Sequence, residues 1–69
     1  MDHTKKITLE SIRYYEGNIK EYQKMYDRNQ RIIDNPNVSP KTKEGFQALN
    51  DVIKKEMESS QEEIKRLIS

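Results

Sequence analysis

The chain contains no cysteine and no tryptophan, one alanine, one phenylalanine, one histidine, two prolines and two glycines. Without cysteine, disulfide staples and thiolate metal sites are excluded. The single imidazole, His3, stands close to the N-terminus of the sequence, where the chain is expected to fray, so a zinc site built from imidazole and thiolate is not expected. No nucleophile–base pair can be assembled from these residues, and no glycine-rich phosphate loop is present. The carboxylates Glu56, Glu58, Glu62 and Glu63 have no histidine at metal-ligand spacing. These absences argue against an enzyme, a cofactor and a catalytic residue of any kind. No apolar run reaches four residues, so a transmembrane span or a secretory signal is not expected, and a cytoplasmic location is the default.

What is present is charge and regular spacing. Charged residues make up 36% of the 69 positions and hydrophobic ones 32%, a balance bordering on disorder, but the net charge is only +1 and the apolar residues recur periodically. A single core in a chain this short rarely leaves more than about 3–5 kcal/mol of stability. Small proteins usually add a disulfide, a metal or a partner chain. With the first two removed, association with another chain becomes the expected stabiliser. One Ala beside eight Ile and nine Lys also suggests an AT-rich coding sequence and a bacterial, phage or plasmid source.

Both prolines fall in "DNPNVSPKT", residues 34–42, the one clear break in the chain. Asn35 precedes Pro36 and is pushed out of the helical region. Ser39-Pro40 reads as an N-cap followed by a first helical residue. The spacing therefore predicts one all-α domain over 1–69: helix 1 at about 6–34, a turn over 35–39, and helix 2 at about 40–68. Each helix would be roughly 40–44 Å long, and the short connection makes them antiparallel neighbours.

Helix 1 carries Ile12, Tyr15, Ile19, Tyr22, Tyr26, Asn29 and Ile33 at alternating steps of three and four, a coiled-coil seam. Tyr14, Met25 and Ile32 widen its apolar arc to about 160°, enough to touch two neighbours. Helix 2 offers Phe46, Leu49, Ile53, Met57, Ser60, Ile64 and Leu67, a pattern with a stutter at Met57. Polar Asn29 and Ser60 sit within the seams, where such residues fix register at some loss of stability. A lone hairpin leaves apolar surface uncovered, so the expected assembly is a homodimer forming a four-helix bundle, with these seam residues as its core. All four tyrosines lie within residues 14–26. Tyr15, Tyr22 and Tyr26 read as seam residues whose hydroxyls reach water, and Tyr14 as an exposed contact residue.

On the far side of helix 1, Arg13, Gly17, Lys20, Lys24, Arg28 and Arg31 fall within an arc of about 80°. The outer face of helix 2 is acidic instead, with Glu44, Asp51, Glu58 and Glu62. The leading expectation is a small regulatory or adaptor protein that binds another protein through Arg13, Tyr14, Lys20, Lys24 and Arg31. Nucleic-acid binding by the same stripe is the alternative. It is not favoured, because the pI is near 7.9, below the value of about 9 that marks nucleic-acid binders, and no aromatic lies on the basic face. A third reading is a structural subunit of a larger helical complex.

Ser60-Gln61-Glu62, within "SSQEEIKRLI", is similar to the start of the SQELD stretch of the small aspartyl-phosphate phosphatases of sporulation control. Glu63-Ile64 stand where that family has Leu-Asp, so three residues do not assign the chain to it. The expected architecture resembles the Rop four-helix bundle in topology only, which implies nothing about function.

Overall fold

The computed structural model describes residues 3–69, with the side chains of residues 3 and 4 left out. The expectation concerning the His3 imidazole therefore lies outside the described side chains. Two helices make up the fold: α1, His3–Asp34, and α2, Pro40–Ile68. They pack against each other as an antiparallel hairpin. The result is a rod measuring 55 × 15 × 12 Å. Helix α1 starts about one turn before the expected position.

The turn is built from short polar side chains. Asn35 accepts twice: its side-chain Oδ1 from the Asn37 N–H at 2.9 Å and its carbonyl from the Val38 N–H at 3.2 Å. That Asx-turn stops α1 ahead of Pro36. Ser39 is the N-cap of α2, with an extended backbone and its Oγ accepting from the Thr42 N–H at 3.3 Å. Its hydroxyl also donates to Thr42 Oγ1 at 2.9 Å. Pro40 begins the helix with no N–H to satisfy. All five connecting residues adopt ordinary negative φ, and neither glycine has a positive one.

Between the helices the packing is unusual in what it buries. Ile53 is the one buried apolar side chain among the described residues, and Asn29, Asn50 and Ser60 are the buried polar ones. Asn29 Nδ2 donates to Asn50 Oδ1 at 3.0 Å, and Asn50 Nδ2 donates to the Tyr26 carbonyl at 3.3 Å. No buried side-chain polar atom among the described residues lacks a hydrogen-bond partner, so the pair does not carry the penalty of an unmade bond. Ile12, Tyr15, Ile19, Tyr22, Tyr26 and Ile33 of α1 are half-buried, as are Phe46, Met57, Ile64 and Leu67 of α2.

One seam position differs from the sequence pattern. Within the hairpin the buried place belongs to Asn50, while Leu49 is 48% exposed. With Asn50 included, the α2 seam runs Phe46, Asn50, Ile53, Met57, Ser60, Ile64, Leu67, at steps of 4-3-4-3-4-3. The stutter disappears, and an unbroken heptad faces the unbroken heptad of α1. Reading by hydrophobicity favours Leu49, but the amide facing Asn29 decides the register.

Candidate functional site

Two surface features stand out. The first lies on the outer side of α1, away from α2. Arg13, Lys20, Lys24, Arg28 and Arg31 are all exposed there, because they occupy the positions opposite the seam. Among the described residues, Lys24 is the only one of these five in an ion pair, with Glu21 at 3.4 Å. Both partners are well exposed, so the pair is worth at most a few tenths of a kcal/mol. The cations on this stripe are therefore available to an outside group.

Gly17 sits in the middle of the stripe, and a Cβ placed there would meet nothing. The missing side chain leaves a shallow dent of about 470 Å³, lined by Arg13, Glu16, Gly17, Ile19, Lys20 and Gln23. Arg13 and Lys20 stand one turn to either side of the glycine, at i−4 and i+3. The dent is thus an open, mainly apolar floor with a cation at each end. Such a place can take a protruding acidic side chain or a close-lying segment of backbone.

The second feature is a polar cleft of about 360 Å³ between the helices, towards their free ends. Tyr14, Tyr15, Asn18 and Tyr22 line it from α1, and Glu56, Ser59, Ser60 and Glu63 from α2. Tyr14 and Tyr15 meet edge to face, with ring centroids 5.4 Å apart. Glu63 pairs with Arg66 one turn further on. The hydrogen bond from that guanidinium, more than its charge, holds the Glu63 carboxyl below the usual carboxylate range. The same bond raises Arg66 above its ordinary value.

Of the residues expected to bind a partner, Arg13, Lys20, Lys24 and Arg31 share the outer stripe, and Tyr14 does not. Tyr14 is 66% exposed, but it projects beside the cleft, a different side of α1. Tyr15 and Tyr22 reach the same cleft from the seam, which gives their hydroxyls a wet edge. Sequence reasoning missed Asn50 and the cleft. The signal for Asn50 was its place four residues after Phe46 and three before Ile53.

No group of three or more metal-ligating side chains is found among the described residues. No helix among them is long and apolar enough to cross a membrane. Compared with family models, curated proteins and solved structures, the chain matches none.

Proposed function

We propose that the hairpin pairs with a second copy into a four-helix bundle and acts as a small, non-catalytic regulatory or adaptor protein. Its basic stripe binds an acidic protein surface, with Arg13 and Lys20 at the two ends of the Gly17 dent and Lys24 and Arg31 extending the contact. Tyr14 adds an amphipathic ring at the margin. The mechanism is occlusion: a rigid rod lies across a partner's functional surface and keeps other molecules away from it. The observation that carries this reading is the dent itself, an open floor between two cations, Arg13 and Lys20, that form no ion pair among the described residues.

Nucleic-acid binding would use the same side chains, so salt dependence separates the two. Eight phosphate contacts in a dimer would make log affinity fall against log salt with a slope of about −6 to −7. A protein contact resting on a few anchors is much flatter. Titrating the protein with a fluorescent glutamate-rich peptide, duplex DNA and duplex RNA at low and physiological salt tests this. The expected result is peptide binding that Lys20→Glu/Lys24→Glu abolishes, and no binding to either duplex tighter than roughly 10 μM at physiological salt. Tight duplex binding that collapses with salt would overturn the protein-binding reading and establish the nucleic-acid one.

A further inference from the structure

The two long sides of the rod are chemically unlike. The polar cleft fixes which residues of α1 and α2 share a side, because Tyr14 and Asn18 line it together with Glu56, Ser59 and Glu63. Steps of 7 and 11 residues return to the same side of a helix. Ile7, Met25 and Ile32 therefore share the side of Tyr14, and Gly45, Leu49 and Val52 share the side of Glu56. Along this side Ile7 is 51% exposed, Leu49 48% and Val52 56%, and with Tyr14 they are four of the six large apolar residues exposed among those described. The opposite side presents Glu16, Gln23 and Gln30 from α1 and Gln47, Lys54 and Gln61 from α2.

Leu49 and Val52 are not seam residues of the hairpin. The unbroken heptad of α2 passes through Asn50 and Ile53 instead, and about half of each of these side chains stays uncovered in one chain. Area gives the scale. The chain exposes 5618 Å², whereas a compact monomer of 8.3 kDa exposes about 4,600 Å². The excess of roughly 1,000 Å² compares with the ~800 Å² that each partner contributes to a standard interface. One long side of a rod with extents of 55 and 15 Å supplies about that footprint.

We infer that a second copy of this chain covers the side formed by Met25, Ile32, Leu49 and Val52, in a two-fold arrangement in which each copy's patch lies on the other's. This rests on the dimer reading above and assigns the face that makes it. The occupant is another copy because the uncovered area matches one partner's share of a standard interface, and the patch sets small Gly45 beside larger aliphatic groups, with charges of both signs, Glu21, Arg28, Lys41 and Glu56, along its margins. An isologous contact needs one such patch rather than two. It also leaves the basic stripe, on the outer side of α1, free on both copies.

Because the chain has no cysteine, single-cysteine variants are clean reporters. Cysteine placed singly at Met25, Ile32, Leu49 and Val52 should give a disulfide-linked dimer at the position nearest the two-fold axis, whereas Lys54→Cys, on the polar side, should not. Leu49→Glu/Val52→Glu should raise the dimer dissociation constant at least about 100-fold, and Gln23→Glu/Gln61→Glu should leave it unchanged. A wild-type protein that is monomeric would overturn the dimer and the face together. A wild-type dimer that links through Lys54→Cys and through none of the four patch cysteines would overturn the face and leave the dimer standing. So would a Leu49→Glu/Val52→Glu protein that dimerises like wild type. Circular dichroism of that variant separates loss of dimer from loss of helix, and the patch-cysteine links decide the matter if it unfolds.

Discussion

The turn-proximal half of the rod and its open half are held by different means. Near the turn, Asn29, Asn50 and Ile53 are buried together, and the connection is fastened by the Asn35 turn and the Ser39 cap. Towards the free ends Ser60 is the one buried side chain among the described residues. The helices there are separated by a polar cleft edged with tyrosines, and Ile7, Leu9 and Ile68 are exposed. Order in this hairpin comes from a short loop and an amide clasp, with a single isoleucine beside them, and weakens with distance from the turn. A pair of helices built this way has register without much apolar cohesion. On the dimer reading, a second copy supplies further cohesion.

The most costly single substitution should be at Ile53. Ile53→Ala should destabilise the fold by about 3 kcal/mol, comparable with the whole stability of a core this size. Chemical denaturation followed by far-UV circular dichroism measures it. Tyr22→Ala comes next, at about 2 kcal/mol, because the ring is half-buried and its hydroxyl is already wet. Tyr14→Ala, on the exposed flank, should cost less than about 1 kcal/mol. Equal and small effects at both positions would make the whole tyrosine run a surface.

The amide clasp responds differently to single and double replacement. Asn50→Ala should cost about 2 kcal/mol, since Asn29 loses its partner while still buried. Replacing both partners, as in Asn29→Leu/Asn50→Leu, should come within about 1 kcal/mol of wild type or be more stable. That double variant should lose uniqueness of register instead, seen as broadened NMR resonances for residues 26–33 and 46–53. A double variant as unstable as Asn50→Ala would show that the clasp is needed for cohesion as well as for register.

The hairpin was legible in the sequence because its signals are local. Pro36, Ser39 and Pro40 mark the break with residues whose backbone preferences hold in any context. The α1 seam was legible because its apolar residues keep strict heptad steps. The α2 seam was less so: Leu49 and Asn50 are neighbours, and hydrophobicity favours Leu49, whereas Asn50 is the one buried within the hairpin. Only the opposing Asn29, 21 residues away, makes Asn50 the better fit, and pair interactions at that separation leave no mark on a single-helix pattern. The basic stripe could be read from spacing. The Gly17 dent between its cations needed the backbone.

The smallest expected effect lies at the open end. Arg66 holds the Glu63 carboxyl below its ordinary range, so this pair adds stability above the ordinary carboxylate pKa. That contribution is lost as pH falls through the lowered value. The pair is exposed to solvent, so the acid-side loss should be slight. It should vanish in Glu63→Gln, as read from melting curves between neutral and acidic pH. An unchanged acid-side slope in that variant would place the titration elsewhere.

The central question is whether this rod is sufficient by itself. Sedimentation equilibrium of the wild-type chain, paired with thermal melting over a hundredfold range of concentration, tests that directly. The predicted result is a mass about twice 8.3 kDa at micromolar concentration, with a melting temperature that rises as the protein is concentrated. A folded species of 8.3 kDa whose melting does not depend on concentration would contradict it.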